Sequence, residues 1–349
     1  MKHIYEVIII GAGQSGIVMS QQLKSSGIKN HIILDAQKRI GDSWRLRYKS
    51  LVLFTPKSYS ALPGLEMRGD PNSYPTKDEM ADYLENYVVH FNLPHKMNTV
   101  VTKIEKENHY FNVFTVKEKF QSKKVIIASG SFQKSYIPSV IKNKTAISHV
   151  HSSAYTEPKD LNDGTVLVVG GGNSGAQIAV ELAEDRKVVL AISHRLNYLP
   201  LQIFGKSIFY WLEKLQLLYA GTDTIKGRLF QKRHDPIFGK ELKQAIKMQK
   251  IKIKPRVKAV NANEVIFSDG SSLKVNQIIW ATGFEPFYEI INIDGTIDKE
   301  GRPIHHRGVS PVNGLYYMGL PWQHSRGSAL ICGVGRDAEY LINKFYLND

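Results

Sequence analysis

Two glycine-rich motifs with the same spacing are the strongest chemical signal in this chain of 349 residues. Gly11–Gly16 and Gly170–Gly175 both read G-x-G-x-x-G, follow a run of β-branched residues and lead into a helical pattern. In such a motif the first glycine permits a tight turn, the second lets a pyrophosphate approach the backbone, and the third lets the helix pack on the strand. The N–H groups and partial positive charge of the helix N-terminus then favour phosphate. The motifs therefore predict two dinucleotides, with electrons passing between them.

Either motif alone could be an ordinary glycine turn in an α/β sheet, because short motifs occur by chance. Two motifs with matched flanks make that interpretation remote. The residues expected to contact the two pyrophosphates are Gly11, Gly13, Gln14, Ser15 and Gly16 in the first motif and Gly170, Gly172, Asn173, Ser174 and Gly175 in the second.

The residues after the second strand of each unit indicate which dinucleotide it binds. Asp35, followed by Ala36, ends the first of these strands, and an acid there hydrogen-bonds a ribose 2′-OH, as in FAD or NAD. The second strand ends instead in a hydroxyl, an imidazole and a guanidinium, which suit a 2′-phosphate; these are Ser193, His194 and Arg195. The first site is therefore predicted to bind FAD and the second NADPH. The alternative for Arg195 is an ordinary exposed arginine at a strand end.

Two further apolar strands end in small residues. These ends are Ala128, Ser129 and Gly130 in one strand and Ala281, Thr282 and Gly283 in the other. Small residues let the chain pass close to a bound cofactor or cross to the other domain. All six are therefore expected to lie at the cofactor sites.

Composition excludes several classes of protein. The only cysteine is Cys332, so the chain lacks the redox-active cysteine pair of thioredoxin- and glutathione-reductase-type enzymes. Iron–sulfur and cysteine-rich zinc sites are excluded for the same reason, and no metal is expected. The net charge of +14 is compatible with nucleic acid, an anionic membrane surface or anionic cofactors. No nucleic-acid motif is present, so a solvated lysine-rich surface is favoured.

The pattern of elements predicts an α/β fold with two Rossmann-like three-layer domains. We expect a discontinuous FAD domain at 1–160 and 287–349, with the NADPH domain at 161–286 inserted into it. No apolar run reaches the roughly 18 residues of a membrane helix, and the N-terminal apolar run leads into Gly11 as a buried strand should. The sequence therefore predicts a cytoplasmic protein without an export signal.

A helical insertion is expected at 196–250, within the NADPH domain. Helical spacing predicts one helix face from Ile208, Leu212, Leu215 and Tyr219. We interpret the insertion as a lid near the cofactors. The C-terminal segment predicts a strand at 314–320, a loop at 321–335 and a helix at 336–345, whose N-terminus would stabilise a reduced, anionic flavin.

Several longer strings resemble the class B flavin monooxygenases, which include the flavin-containing monooxygenases and Baeyer–Villiger enzymes. Besides the glycine motifs they are Gly41–Arg45, Leu62–Gly64, His151–Tyr155 and Ala281–Gly283. The chain is most similar to the small bacterial CzcO-type FAD/NAD(P)-dependent oxidoreductases. That similarity is carried by Ser50–Pro56, Pro200–Ser207, Asp235–Gly239, Gly319–Gln323 and Gly333–Ala338.

The resemblance implies that NADPH reduces FAD, and that reduced flavin and O2 form a C4a-hydroperoxyflavin that oxygenates a small soft nucleophile or a ketone. The protein would supply orientation and a dry pocket. The residues implied as catalytic are Trp322, Gln323, His324 and Arg326, with His151 and Tyr155 in the linker. Further cofactor contacts are implied for Ser43, Trp44, Arg45, Leu53, Thr55, Pro56, Val101, Gly319, Ala329, Leu330 and Ile331. The alternatives are a surface loop at 322–326 and a hydrogen-bonded structural histidine at position 151.

One departure from the family leaves other functions open. The monooxygenase signature has Phe and Gly six and four residues before its histidine, where this chain has Thr145 and Ile147, and Thr156 stands where a basic residue follows. In the family this linker senses NADP and protects the oxygenated flavin. The chain could therefore be an NADPH-dependent flavin reductase or oxidase, or an accessory or redox regulator of a membrane cation-efflux transporter. Its oligomeric state is open, with a homodimer among the alternatives.

Overall fold

Each glycine motif joins a strand to a helix, and a second strand follows that helix. A computed structural model describes residues 3–141 and 145–345, and the expected ends of the FAD domain at residues 1 and 349 lie outside them. The strands, in chain order, are β1 Ile4–Ile10, β2 His31–Leu34, β3 His95–Lys96, β4 Val101–Glu107, β5 Tyr110–Thr115, β6 Lys119–Ile127, β7 Lys134–Ser135, β8 Ser148–His151, β9 Thr165–Val169, β10 Lys187–Ala191, β11 Tyr198–Leu199, β12 Gln202–Ile203, β13 Lys206–Ser207, β14 Ile237–Phe238, β15 Ile251–Lys254, β16 Val257–Val260, β17 Val265–Phe267, β18 Ser272–Leu273, β19 Gln277–Trp280, β20 Phe284–Glu285 and β21 Leu315–Tyr317. The helices are α1 Gln14–Ser25, α2 Asp42–Arg45, α3 Lys57–Ser60, α4 Lys77–His90, α5 Asn173–Leu182, α6 Ile208–Lys214, α7 Ile225–Gln231, α8 Glu241–Lys247 and α9 Val334–Phe345.

The first sheet has the strand order β3-β2-β1-β6-β5-β4, and β21 pairs with β6. Its central pairs, β1 with β2, β1 with β6 and β6 with β21, are parallel. Val7 and Ile9 of β1 pack with α1, α4 and α9 in the first core, on one face of the sheet, whereas Ile8 and Ile10 pack in a second core on the other face. Because both faces are covered, β1 is a continuous apolar run rather than an alternating one.

The second sheet has the order β15-β10-β9-β19-β8, and all its pairs are parallel. Helices α5 and α8 cover one face, and the small antiparallel sheet β16-β17-β18 covers the other. Two sheets with both faces covered confirm the predicted α/β class.

The chain crosses between the two sheets twice. Strand β7 of the first crossing pairs antiparallel with β20 of the second, so that the crossings lie side by side. Strand β8, residues 148–151, pairs with β19 of the second sheet, although the expected boundary at residue 160 assigned these residues to the FAD domain. With Val150 as its only aliphatic residue, β8 gives no apolar run from which a strand could be predicted.

The insertion at 196–250 contains short strands, β11 to β14, as well as helices α6, α7 and α8. The predicted long helix face is wrong, because α6 ends at Lys214, before Gln216 adopts a left-handed φ of 57°. Leu215 is therefore exposed and Tyr219 lies beyond the helix. Ile208 and Phe209, on the buried side of α6, belong to a separate apolar cluster. From outside the insertion this cluster includes Phe54, Tyr59, Leu330 and Cys332.

Candidate functional site

The two glycine motifs form turns of the same geometry. Gly11 leaves β1 with φ 111° and Gly170 leaves β9 with φ 125°, values that favour glycine. A Cβ atom on Gly11 would lie 2.5 Å from the carbonyl oxygen of Ala128, and one on Gly170 would lie 2.2 Å from that of Ala281. The two small strand ends predicted from the sequence therefore each contact one glycine turn.

The other glycines of each motif divide into a packed and an open position. A Cβ on Gly16 would lie 1.9 Å from the Gly11 carbonyl oxygen, and one on Gly175 would lie 2.1 Å from that of Gly170. By contrast, a Cβ on Gly13 or Gly172 would meet no atom within 4 Å. The backbone at these middle glycines thus faces open space, as a pyrophosphate requires.

The helices that follow begin without a competing side chain. Gly13 caps α1 and Gly172 caps α5, and neither helix has a side-chain cap hydrogen bond or an acidic residue in its first turn. Their N-terminal N–H groups are therefore available to an anion. Ser15, in the first turn of α1, faces Gly319, whose Cβ would lie 2.2 Å from Ser15 Oγ. The residues of both turns fit the two dinucleotides.

The strand ends beside the turns differ in charge, as expected. Asp35 accepts hydrogen bonds from Ala12 N at 2.6 Å and Gln37 N at 2.7 Å, with the exposed Ala36 between Asp35 and Gln37. Its carboxylate is thus fixed beside the first glycine turn. Val101, half-buried at the start of β4, follows Thr99, whose N–H donates to the Asp35 carbonyl oxygen at 2.8 Å.

At the end of β10, Ser193 and Arg195 are exposed, and Ser193 Oγ lies 3.3 Å from His194 Nδ1. The His194 ring stacks on His234 of the insertion, with centroids 4.4 Å apart. His234 is a neighbour of this strand end that the sequence did not predict. Within residues 3–141 and 145–345, Arg195 has no acidic partner within ion-pair distance, so its charge is available to a phosphate.

The small residues after β6 and β19 tie the two crossings together. Thr282 Oγ1 donates to the Tyr136 carbonyl oxygen, and Tyr136 N donates to that of Gly283 at 3.0 Å. The buried Ser129 Oγ has no hydrogen-bond partner among the described residues, while Gly130 takes a positive φ of 75°. A buried hydroxyl without a partner beside a glycine turn is a feature that a bound cofactor would satisfy.

The Gly41–Arg45 string forms α2. Ser43 is exposed, and Trp44 packs partly buried against the first core. Arg45 is held by Asp82 at 2.8 Å and Glu85 at 2.6 Å, two acids of α4. These ion pairs give Arg45 a structural function, fixing α2 on α4, that the sequence did not indicate. Its contact with a cofactor stays a prediction.

Two segments expected at the flavin lie together under the insertion. Leu53 is buried, Thr55 Oγ1 bonds Ser60 Oγ at 2.7 Å, and Pro56 caps α3. Phe54 of this segment and Leu330 share the cluster of α6, whereas Ile331 packs in the first core. Ala329, half-buried, ends the 3₁₀ turn before Leu330. The apolar lining of this region suits an aromatic ring system.

The insertion holds the loop with the four residues expected to be catalytic. Trp322, with a positive φ of 56°, packs edge-on against Phe230 at 6.0 Å. Arg326 Nε forms an ion pair with Asp235 at 3.1 Å. The loop therefore does not stand free on the surface, as the alternative interpretation required.

The other two residues of that loop differ in their surroundings. The His324 carbonyl oxygen accepts a hydrogen bond from Thr222 N at 2.7 Å, and burial, with the Arg307 charge, lowers the pKa of its ring. Gln323 is 2% exposed and uses Oε1 to accept from Leu320 N, but its buried Nε2 has no partner in the described chain. Gln323 is thus the better-placed donor for a bound ligand.

His151 ends β8, where the two crossings meet. Its Nδ1 accepts from Ser153 N at 3.1 Å, so Nε2 carries the proton and donates to the Gly283 carbonyl oxygen at 2.9 Å. Burial and, more weakly, the Arg47 charge lower the pKa of this ring. The imidazole is therefore neutral, with both ring nitrogens occupied, as in the structural interpretation of this residue.

Tyr155 is also engaged within the protein. It is 2% exposed, and its hydroxyl donates to Glu181 of α5 at 2.8 Å. Burial and the neighbouring Glu181 carboxylate raise the pKa of this phenol. The placement gives Tyr155 an anchoring function and does not support the expected catalytic one.

Sequence reasoning missed Arg47 and Tyr48, which link the two halves. Arg47 lies 5.1 Å from the Phe132 ring and 6.0 Å from the Phe284 ring, beside the paired crossings. The Tyr48 hydroxyl donates to Gln177 Oε1 of α5 at 2.7 Å. Their only sequence signal was their position between two strings of the family resemblance.

Known proteins give these sites a context. The sequence model of the family described as pyridine nucleotide-disulphide oxidoreductase matches residues 8–199. An uncharacterized CzcO-like oxidoreductase of Geobacillus kaustophilus is 52% identical over 344 residues, 98% of this chain and 99% of that protein. The indole-3-pyruvate monooxygenase YUCCA8 of Oryza sativa is 27% identical, covering 95% of this chain and 88% of its own. A flavin-containing monooxygenase structure from Stenotrophomonas maltophilia shares the fold, with TM-score 0.84, 24% identity and 99% coverage of both chains.

Proposed function

We propose that the chain, which belongs to the pyridine nucleotide-disulphide oxidoreductase family, is a flavin monooxygenase acting on a small soft nucleophile or a ketone. As a member of this family and a relative of CzcO-like proteins, it is an oxidoreductase that uses FAD and NADPH. Oxygen insertion and the substrate class are the proposed part.

The observation that carries the use of two dinucleotides is the pair of open glycine turns, and oxygen insertion is supported by the similarity to a plant monooxygenase. Gly13 and Gly172 each present backbone to open space at an uncapped helix N-terminus. The acid at Asp35 and the base at Arg195 then favour two different riboses. FAD, when bound, supplies hydride acceptance from NADPH and reaction with O2.

The chain's own residues would orient the substrate and exclude water. The insertion covers the apolar region around Phe54 and Leu330, so that little water would reach it. The buried Nε2 of Gln323, which lies beside Gly308 and has no partner among the described residues, can donate a hydrogen bond to a bound ligand. The N-terminus of α9 would favour negative charge on the ring beside it.

The single cysteine argues against a thiol relay. Cys332 is the only cysteine in the sequence, so no redox-active pair can form within the chain. Burial raises the pKa of its thiol to about 11, which keeps the reactive thiolate rare at neutral pH. Electrons would therefore pass from the flavin to O2 or to a small acceptor.

A reductase or oxidase without oxygen insertion is the second candidate. It is favoured by Thr145 and Ile147, which replace the Phe and Gly of the monooxygenase signature, and by His151, whose ring nitrogens are both occupied. A flavin less well protected from water would release hydrogen peroxide. Association with a cation-efflux transporter and formation of a homodimer stay predictions without support from particular contacts.

Labelled O2 distinguishes the two candidates. Purified enzyme with FAD, NADPH and a panel of sulfides, amines and ketones would be incubated under labelled O2, with mass spectrometry of the products. One labelled oxygen atom in the product for each NADPH oxidised is the result expected of a monooxygenase. NADPH oxidation matched by hydrogen peroxide, with no labelled product across the panel, would contradict oxygen insertion into these substrate classes and favour the oxidase.

A further inference from the structure

A β-hairpin in the insertion ends in an exposed aromatic side chain. Strands β12 and β13 are joined by the two-residue turn Phe204–Gly205, with φ of 50° and 69°. Turns with positive φ at both central residues favour Asn, Asp and Gly, and a bulky side chain there is strained. Phe204 is nevertheless 92% exposed. Strain at an exposed position points to a function outside the fold.

Phe204 is the tip of a surface that we name the hairpin patch, formed by Phe204, Lys206, Tyr210, Trp211, Lys214 and Leu215. The Phe204 ring lies 6.5 Å from Trp211, whose Nε1 is fixed by the Ile203 carbonyl oxygen at 2.9 Å. Lys206 and Lys214 have their Nζ atoms 5.9 and 5.7 Å from the Tyr210 ring. Tyr210 packs edge-on against Trp211 at 5.2 Å, which joins the two sets of contacts, and Leu215 follows Lys214 at the end of α6.

The charge of the hairpin patch is unbalanced. Neither Lys206 nor Lys214 has an acidic partner within ion-pair distance in the described parts of the chain. Glu213, the acid next to Lys214, instead accepts a hydrogen bond from Tyr59 at 2.6 Å. The patch therefore combines an apolar tip, an aromatic rim and two free positive charges.

We propose that the hairpin patch docks the protein on an anionic phospholipid surface. Phe204 and Leu215, the second of which is 59% exposed, would enter the headgroup layer. Trp211 and Tyr210 would find there the half-polar environment that their rings prefer. The lysines would contact lipid phosphates, in keeping with the net charge of +14. Docking is peripheral, because no helix formed by residues 3–141 or 145–345 is suited to crossing a bilayer.

The hairpin patch adjoins the candidate flavin region. Phe209 of α6, the helix that carries Tyr210 and Trp211, packs 6.1 Å from Phe54 and 5.9 Å from Tyr59. A docked protein would hold this region close to the membrane, so nonpolar molecules dissolved in the bilayer are the substrate class that it could reach. Docking itself does not depend on whether the enzyme inserts oxygen.

Sedimentation with lipid vesicles tests the proposal. Full-length protein loaded with FAD would be mixed with vesicles of phosphatidylglycerol and phosphatidylcholine, or of phosphatidylcholine alone. We expect binding to the mixed vesicles only, weakened by salt. Phe204→Asn should reduce binding by about tenfold or more, because the free energy gained by burying a Phe side chain in the membrane is lost. Asparagine suits this turn, so the variant should still fold. Lys206→Gln and Lys214→Gln should each reduce binding by about fivefold.

The matched control is Val116→Asn, a change at a 73% exposed apolar residue between β5 and β6. It should leave vesicle binding unchanged. Wild-type protein that stays in the supernatant with mixed vesicles, or a Phe204→Asn variant that binds as well as wild type, would overturn the proposal. Phe204-dependent binding to native membranes but not to protein-free vesicles would overturn it too, because it would identify a protein partner.

Discussion

At the scale of single residues, the two dinucleotide sites differ by what ends their second strands. Asp35 is held by two backbone N–H groups, so its carboxylate stays beside the first glycine turn. Arg195 is exposed and has no acidic partner in the part of the chain that the structure describes. The first arrangement repels a 2′-phosphate and the second attracts one.

Replacing Arg195 by alanine tests this assignment. Because a charge-assisted hydrogen bond is worth about 1.5–3 kcal/mol, we expect the KM for NADPH to rise by roughly tenfold or more. The KM for NADH should stay the same. Steady-state kinetics with both nucleotides would measure this, with Arg302→Ala, at an exposed arginine outside the insertion, as the control. Equal effects on both nucleotides would remove the assignment.

His151 links protonation to stability. Its pKa lies below the usual 6.5 in the folded protein because burial disfavours the charged ring, so the unfolded chain takes up a proton at higher pH than the folded one. The contribution of His151 to stability is therefore fully present above about pH 6.5 and is lost as the pH falls from there through the lowered pKa of the folded protein. His31, His305 and His324 shift in the same direction.

We expect His151→Gln to cost about 1 kcal/mol near pH 7.5, because one hydrogen bond is lost, and to reduce the further loss near pH 5.5. Urea unfolding at both values would measure the free energies. The exposed His109, changed to Gln, serves as the control. An acid-induced loss as large as in wild type would show that His151 does not contribute to it.

At the scale of elements, each strand–turn–helix unit separates packing from binding. Gly175 is needed where α5 contacts the turn, since its Cβ would lie 2.1 Å from the Gly170 carbonyl oxygen. Gly172 has open space instead and an ordinary φ of −88°. The two glycines of one motif should therefore respond differently to the same substitution.

Gly175→Ala should destabilise the protein by about 1–3 kcal/mol or more, because the added methyl group overlaps backbone. Gly172→Ala should leave the free energy of unfolding nearly unchanged but weaken the binding of NADPH, because the pyrophosphate must approach the backbone there. Denaturant unfolding and NADPH titration of both variants would test the contrast. If both variants bound NADPH as tightly as wild type, the nucleotide would have to bind elsewhere.

The sequence predicted those elements whose signal is local. The strand before each glycine turn, the acid at Asp35 and the C-terminal helix could be read because apolar runs, glycine spacing and helical periodicity are properties of neighbouring residues. Strand β8 could not, since its place in the second sheet comes from pairing with β19, far along the chain. The early end of α6 depends on the left-handed backbone of Gln216, which could not be predicted because glutamine rarely adopts a positive φ. The bond from His151 Nε2 to Gly283 and the bond from Tyr155 to Glu181 likewise depend on residues far along the chain.

At the scale of the whole molecule, the insertion closes over the loop with the predicted catalytic residues. Asp235 pairs with Arg326, Thr222 donates to His324, and Phe230 packs on Trp322. Three separate points of the insertion thus hold one short loop. In the proposed function, water exclusion at the candidate flavin region would depend on this closure.

Asp235→Asn should loosen the closure while preserving the fold, because the pair is largely exposed on the aspartate side and worth about 0–1 kcal/mol to stability. If the proposed oxygenation is correct, the fraction of NADPH that yields hydrogen peroxide should rise, by up to about fivefold, which is the factor that corresponds to 1 kcal/mol. The peroxide yield for each NADPH oxidised is the measurement. Asp269→Asn, at an exposed turn outside the insertion, is the control. An unchanged peroxide yield in Asp235→Asn would show that the ion pair does not contribute to closure.

The paired crossings β7 and β20 have a consequence for how such a protein can change. The chain leaves the first sheet and returns to it through two segments that are hydrogen-bonded neighbours, about 5 Å apart as in any antiparallel pair. The second sheet is therefore a cassette with adjoining ends. Recombination between relatives could exchange the nucleotide specificity of the enzyme in one event, while the strand order of the first sheet stayed the same.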